Sequence, residues 1–98
     1  MAEASKKRLE WSRPARTAYE ATIARVFTDD IYAASLVERR VVRSIALLQT
    51  FPQLGVPGAL VGTRSYPILN TGHSVTYRVT PEAILILRWY RQRQNVPR

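Results

Sequence analysis

The last third of the chain holds three short segments with strand-like composition, separated by two turn sequences. In chain order they are residues 64–69, Asn70-Thr71-Gly72, residues 73–79, Thr80-Pro81-Glu82 and residues 84–90. β-Branched and aromatic residues bounded by Gly, Pro and Asn are typical of strands joined by tight turns, so we predict an antiparallel meander. The run Ile84-Leu85-Ile86-Leu87 is continuously apolar, which predicts a central strand covered on both faces. Pro67 has no N–H to donate, so it predicts an edge or a bulge.

Two helices are predicted ahead of the meander. Ser12 followed by Pro14 is a helix-start signal, and apolar residues then recur at helical spacing as far as Phe27. Asp29 or Asp30 can cap a second helix after a connection of about three residues. That helix also carries an apolar stripe, and three arginines lie to its side: Arg39, Arg40 and Arg43. These arginines are either a solvated helix face or a partner surface.

The remaining segments complete the predicted order of elements. The second helix ends before Phe51-Pro52, because proline disfavours helix at the residue before it. Residues 52–62 are predicted to form a loop from helices to sheet, and Leu9 and Trp11 alternate with polar residues as in a short half-buried strand. Residues 1–7 are expected to be loose. We therefore predict a single α+β domain over residues 1–98, ordered β-α-α-β-β-β, with a helix hairpin packed on a small antiparallel sheet.

The positive charge is concentrated in the second half of the chain. The formal net charge is +8, and Glu82 is the only acidic residue after Glu38. Nine basic residues follow Glu38, and all are arginine: Arg39, Arg40, Arg43, Arg64, Arg78, Arg88, Arg91, Arg93 and Arg98. Arginine forks onto carboxylates and phosphates and stacks on bases, so this half predicts a nucleic-acid or acidic protein partner. The alternative is a basic face that only aids solubility.

Arginines and aromatic residues occur together along the predicted strands. The candidate residues for binding a partner are Arg64, Arg78, Arg88, Tyr90, Arg91 and Arg93. Such a mixture can bind RNA by stacking and phosphate contact, and it can equally form a hot spot for a protein partner. For Tyr77 and Trp89, which lie among them, packing in the core is the favoured interpretation.

The composition disfavours several classes of chemistry. The chain has no cysteine, which removes thiolate metal sites, thiol catalysis and disulfides. His73, the single histidine, follows Gly72 and is interpreted as a turn or strand-end residue rather than a catalyst or metal ligand. No phosphate-binding loop is present, and we expect no metal or cofactor. No apolar run approaches the roughly 18–20 residues of a membrane span, and the first eight residues lack the apolar core of a signal peptide. The expected location is the cytoplasm, without a membrane partner.

Several segments, taken in order, resemble a known family. They are Trp11-Ser12-Arg13-Pro14-Ala15, the helix end at residues 46–52, the loop with Leu54-Gly55 and Pro57-Gly58, Gly62-Thr63-Arg64, residues 75–79, and residues 84–88 with the basic tail. Over about residues 8 to 97, the chain resembles the RelE/ParE superfamily of toxin–antitoxin toxins. The resemblance implies a small bacterial toxin, neutralised by a cognate antitoxin that wraps it with a helix and an extended segment. It also implies that DNA is contacted only through the antitoxin complex, which represses its own promoter.

The family divides by cellular target, and two departures favour one branch. RelE-like members cleave mRNA on the ribosome, whereas ParE-like members inhibit DNA gyrase without catalysis of their own. The ribonuclease branch commonly has an arginine two residues after the hairpin glycine, where this chain has Ser74. It also tends to have a tyrosine or histidine near the C-terminus, which Gln94-Asn95-Val96-Pro97-Arg98 lacks. For phosphodiester cleavage, Arg78, Arg91 and Arg93 are the candidates to stabilise charge, but no base accompanies them.

The favoured interpretation is therefore a ParE-like toxin that binds an essential protein such as DNA gyrase. The alternatives are a ribosome-dependent endoribonuclease and a homologue that has lost toxicity and survives as a binding protein. The arginines of the second half predict an acidic antitoxin whose binding weakens with salt. The cellular target, the antitoxin, the oligomeric state and the order of the strands are left open at this stage.

Overall fold

The structure, a computed structural model, describes residues 6–92 and has two helices packed against a five-stranded sheet. In chain order the elements are β1 (Arg8–Trp11), α1 (Arg13–Asp29), α2 (Ile31–Thr50), a 3₁₀ turn (Pro52–Leu54), β2 (Val56–Pro57), β3 (Arg64–Ile68), β4 (His73–Val79) and β5 (Ala83–Arg91). Across the sheet the strands are ordered β1-β5-β4-β3-β2. The predicted helix hairpin on a small sheet is confirmed. The loop predicted over residues 52–62 contains the additional two-residue strand β2.

A single residue, Asp30, joins the two helices. Its backbone is extended, and its N–H donates to the Val26 carbonyl at 2.8 Å, which closes the end of α1. Its carboxylate accepts the N–H groups of Tyr32 at 2.9 Å and Ala33 at 3.2 Å, which caps the start of α2. Because one residue satisfies both helix ends, the connection is shorter than the predicted three residues.

The sheet is mixed rather than wholly antiparallel. β1 pairs with β5 in parallel, with Leu9 opposite Ile84 and Trp11 opposite Ile86, whereas the other neighbouring strands are antiparallel. The expectation of antiparallel pairing holds for strands joined by short turns. β1 and β5 are separated by the rest of the chain, so no turn fixes their relative direction.

Two irregularities lie in the strands around β4. β2 covers only Ser65 and Arg64 of β3, so Pro67 lies where β3 is the outer edge, as its missing N–H predicts. The bulge lies elsewhere: Thr76 pairs with Arg88 and Tyr77 with Ile86, which leaves Leu87 without a partner.

The core lies between the helices and one face of the sheet. Ile84 and Ile86 of β5 are fully buried, whereas Leu85 and Leu87 are only half-buried. The prediction that this strand is covered on both faces is therefore wrong, although its central position is confirmed. Because the helices cover only one face of the sheet, the alternate residues Leu85 and Leu87 on the other face stay partly exposed.

The tryptophan and tyrosine rings next to β5 join α1 to the sheet. Tyr19 stacks on Trp11 with ring centroids 5.2 Å apart and meets Trp89 edge-on at 4.9 Å. The Trp89 indole Nε1–H donates to the hydroxyl oxygen of the buried Thr22 at 2.9 Å. Core packing, the interpretation favoured for Trp89, is confirmed.

Lys7 is fastened to the fold, which corrects part of the expectation that residues 1–7 are loose. Its backbone N–H donates to the Gln49 carbonyl at 3.1 Å. Its ammonium group donates to the carbonyls of Thr80 at 3.0 Å and Pro81 at 2.8 Å. These bonds hold the start of β1 against the turn that precedes β5; residues 1–5 lie outside the described part of the chain.

Candidate functional site

The face of the sheet opposite the helices carries several of the predicted binding residues. Side chains alternate between the two faces of a strand, and Val75 and Tyr77 of β4 point into the core. Their neighbours on β4 therefore lie on the other face, together with the β5 residues paired with them. We call this surface the open face; within β3, β4 and β5 it includes Ser65, Pro67, Ser74, Thr76, Arg78, Leu85, Arg88 and Tyr90.

Arg88 and Tyr90 are held together on the open face. The Tyr90 hydroxyl is hydrogen-bonded to the Ser65 hydroxyl across the sheet at 2.5 Å. The Arg88 guanidinium lies 5.0 Å from the centre of the Tyr90 ring, within the range of a cation–π contact. The ring thus orients the guanidinium on an exposed position of β5.

Arg78 adds a second guanidinium to the same face. It is exposed and lies two residues along β4 from Thr76, the partner of Arg88. Within residues 6–92 the ion pairs are Arg8–Glu10 at 2.8 Å and Arg16–Glu20 at 3.8 Å, so neither open-face arginine is neutralised by a carboxylate of the described chain. Guanidinium groups without a carboxylate partner give this surface a positive potential that attracts anions.

The carboxylate of Glu10 lies on the same side of the sheet, on the outer strand β1. Glu10 is opposite Leu85, which is itself opposite Arg78. Two strand spacings put Glu10 about 10 Å from Arg78 at the backbone. The Arg8 guanidinium already engages the Glu10 carboxylate, so this group is poorly placed to act as a base beside Arg78.

Arg64 has a role within the fold instead. Its guanidinium Nη1 donates to the Gly55 carbonyl at 2.6 Å and, at the longer distance of 3.5 Å, to the Gln53 carbonyl. Arg64 pairs with Tyr77, a core residue, and so does not belong to the open face. The structure therefore separates Arg64 from Arg78 and Arg88.

Tyr77 holds the same loop from inside the core. Its hydroxyl donates to the Pro52 carbonyl at 2.7 Å and accepts the Gly55 N–H at 2.9 Å. Burial raises the pKa of the Tyr77 phenol above its ordinary value. The interpretation of Tyr77 as a core residue is confirmed.

Arg91 and His73 lie together at the far end of the sheet, on the opposite side. They pair across β4 and β5, and the His73 ring stacks on Trp89 with centroids 4.8 Å apart. His73 begins β4, as a strand-end residue. Five residues along β4 separate His73 from Arg78, which corresponds to about 17 Å, so Arg91 and Arg78 do not converge on one phosphate. Arg93 lies outside the described residues.

A groove between α2 and β3 was not anticipated as a site. It encloses about 870 Å³, and its lining consists of Leu36, Arg39, Arg40, Arg43, Ser44, Leu47, Tyr66, Pro67, Ile68, Leu69, Asn70, Gly72 and Gln92. The Arg40 guanidinium reaches across it and donates to the Asn70 carbonyl at 2.7 Å. Among the residues that the structure describes, no carboxylate lines the groove. In the sequence, the leucines beside the arginines of α2 were the one sign of such a groove. Its opposite apolar wall is formed by β3, which the fold brings next to α2.

Comparison with known proteins supports the predicted fold. No family model and no curated protein matches the chain. A chain in the solved structure of the chromosomal ParDE TA system from P. aeruginosa matches it with a TM-score of 0.77 and 23% identity. The match covers 90% of this chain and 98% of that chain. The two chains share one fold. The fold implied by the resemblance to the RelE/ParE superfamily is thus confirmed.

The arrangement is suited to binding anionic groups. The open face offers guanidinium and phenol donors, while the only imidazole of the chain is stacked on Trp89 on the other side of the sheet. Within residues 6–92 no group of three or more acidic, histidine or cysteine side chains forms a metal-ligand cluster. No helix in that same range is long and apolar enough to cross a membrane.

Proposed function

We propose that this protein is the toxin of a type II toxin–antitoxin system and that it acts by binding an essential bacterial protein such as DNA gyrase. The fold shared with a chain of the ParDE system supports the toxin assignment. The observation that carries the mode of action is the open face, where Arg78, Arg88 and Tyr90 lie together without an adjacent base among residues 6–92. Arginine and tyrosine are enriched in the energetic centres of protein interfaces.

The geometry favours binding over cleavage of RNA. Phosphodiester cleavage needs a group that accepts the 2′-hydroxyl proton and groups that stabilise the charged transition state at the same phosphate. Arg78 and Arg91 are about 17 Å apart along the strand direction and lie on opposite faces. The Glu10 carboxylate is paired with Arg8, and His73 is stacked on Trp89. We therefore keep the ribosome-dependent endoribonuclease as the alternative.

The groove between α2 and β3 supports the proposal of an acidic antitoxin. Apolar residues and three arginines line it, and no carboxylate of residues 6–92 does. A segment that alternates leucine-like and acidic side chains would bury its apolar groups there and pair with Arg39, Arg40 and Arg43. Its affinity would fall as salt is raised, because partly exposed ion pairs are screened. In this proposal the complex is cytoplasmic, and DNA is contacted by the antitoxin.

The test is to express the protein in bacteria and to follow DNA and protein synthesis by pulse labelling. The purified protein is added in parallel to a gyrase supercoiling assay. We expect DNA synthesis to fall first and supercoiling to be inhibited. New mRNA ends at fixed codon positions, with an early fall in translation, would favour the endoribonuclease instead. Growth inhibition with unaffected gyrase would exclude gyrase as the target.

A double variant on the open face and a control variant elsewhere test whether the activity depends on this face. Arg78→Gln with Arg88→Gln should raise the concentration needed for growth inhibition by about tenfold or more, as expected for hot-spot arginines. Arg25→Gln, a single replacement on the exposed side of α1, should behave like the unmodified protein. Equal toxicity of the double variant and the Arg25 variant, with both folded by circular dichroism, would rule out the open face.

A further inference from the structure

The loop between β2 and β3 is braced by its own hydrogen bonds. The Gly58 N–H donates to the Thr63 carbonyl at 2.8 Å, and the Thr63 N–H donates to the Leu60 carbonyl at 3.1 Å. The Thr63 hydroxyl donates to the same Leu60 carbonyl at 2.6 Å. Thr63 is only 4% exposed, and Gly62 has a φ of +81°, which favours glycine. The loop therefore has a defined shape rather than a freely moving tip.

The tip of this braced loop is apolar. Leu60 is 62% exposed and Val61 is 97% exposed. Turn tips are ordinarily built from Gly, Asn, Asp and Ser, and an isolated exposed aliphatic residue would need no explanation. Here two adjacent aliphatic residues are presented by a loop whose base is fixed. Fixing a contact residue before association lowers the conformational entropy lost on binding.

The base of the loop adjoins the open face. A β-carbon placed on Gly62 would lie 3.7 Å from the Arg78 guanidinium. Arg78, a residue of the open face, therefore lies beside the base of the loop. The loop that presents the aliphatic tip thus has its base next to a guanidinium of the open face.

We propose that Leu60 and Val61 are the apolar anchor by which this surface engages its protein target, with Arg78 pairing beside them. This inference rests on the proposed function. The partner it fits is a protein surface with an apolar depression and a carboxylate at its rim. A nucleic acid fits less well, because aliphatic side chains neither stack on bases nor hydrogen-bond to their edges.

The test compares two proteins. One is a double variant that carries both Leu60→Asn and Val61→Thr, and the other is the control variant Val42→Thr. Thr has nearly the shape of Val and Asn that of Leu, so the double variant changes polarity more than volume. Val42 is 69% exposed on α2, outside the loop and the groove, and serves as the matched control. Growth inhibition is measured against intracellular concentration, and thermal unfolding verifies that all three proteins are folded. Binding to purified DNA gyrase and to vesicles of anionic phospholipid is measured alongside.

The expected result is a loss of potency of about tenfold or more in the double variant, with Val42→Thr unchanged, since burying a Leu or Val side chain on binding contributes at that level. Equal potency of the double variant would overturn the anchor while leaving the toxin assignment in place. Absence of growth inhibition by the unmodified protein would refute the toxin assignment, and the anchor with it. Loss of vesicle binding in the double variant with unchanged growth inhibition would overturn a protein partner in favour of a lipid surface.

Discussion

Replacing Tyr77 by phenylalanine isolates the contribution of one buried hydroxyl. That group donates to the Pro52 carbonyl and accepts the Gly55 N–H, so its removal breaks two hydrogen bonds and leaves a buried amide unpaired. Each hydrogen bond contributes about 0.5–1.5 kcal/mol, and a buried unpaired group costs about 1–3 kcal/mol. Because these terms overlap, we expect the free energy of unfolding to fall by about 2 kcal/mol. For a chain of this size that corresponds to a decrease in Tm of roughly 10 °C.

The assay is urea unfolding followed by circular dichroism, with Tyr32→Phe as the control. Tyr32 is 84% exposed, so loss of its hydroxyl should leave stability within about 0.5 kcal/mol of the unmodified protein. If Tyr77→Phe and Tyr32→Phe have the same stability, the hydroxyl of Tyr77 does not hold the loop, and the reasoning is refuted.

The same substitution should change how stability depends on alkaline pH. Burial raises the pKa of Tyr77 in the folded protein above its ordinary value of 10.0. Its stabilising contribution is therefore fully present below pH 10 and is lost as the pH rises through the folded-state value, because the unfolded chain ionises first. Tyr19, whose pKa burial also raises, is retained in both proteins. Unfolding curves between pH 9 and 11 should show a shallower loss of stability in Tyr77→Phe, and identical slopes would contradict this linkage.

Four further substitutions test the core, a tight contact and a cap. Ile86→Asp should abolish folding, because it places a charge in the closed core, whereas Leu87→Asp, at the half-buried bulge, should stay folded by circular dichroism. Gly55→Ala should cost about 1–3 kcal/mol in urea unfolding, as overpacking does, since its β-carbon would lie 2.6 Å from the Tyr77 hydroxyl. Unchanged stability would mean that the loop shifts to make room for the β-carbon. Asp30→Ala should cost about 1 kcal/mol or more in the same assay, because it removes both N–H contacts at the start of α2, and an unchanged Tm would contradict this.

Local signals were sufficient to predict most of the elements. The cap at Ser12, the stop before Pro52 and the turn at Asn70-Thr71-Gly72 each depend on residues close together in sequence, and each lies where it was predicted. The direction of β1 depends on a partner 75 residues away at the end of the chain. No local periodicity carries that information.

The candidate site was predicted in composition but not in arrangement. The alternation along β4 and β5 placed Arg78, Arg88 and Tyr90 on strands, and the register that puts them on one face is set by the bulge at Leu87. Arg64 resembled them in sequence, yet its position opposite Tyr77 directs it to the loop carbonyls. Whether an arginine is free or internally bonded depends on cross-strand pairing, which spacing alone does not define.

The pairing of the first strand with the last has a consequence for synthesis in the cell. A chain released from the ribosome before residue 83 lacks the strand that lies between β1 and β4. It therefore lacks both the partner of β1 and the strand that carries Arg88 and Tyr90. Sequence-distant contacts of this kind delay folding until the chain is complete. Copies that end before residue 83 would consequently form neither the complete sheet nor the open face, so the fold can form only after β5 has been synthesised.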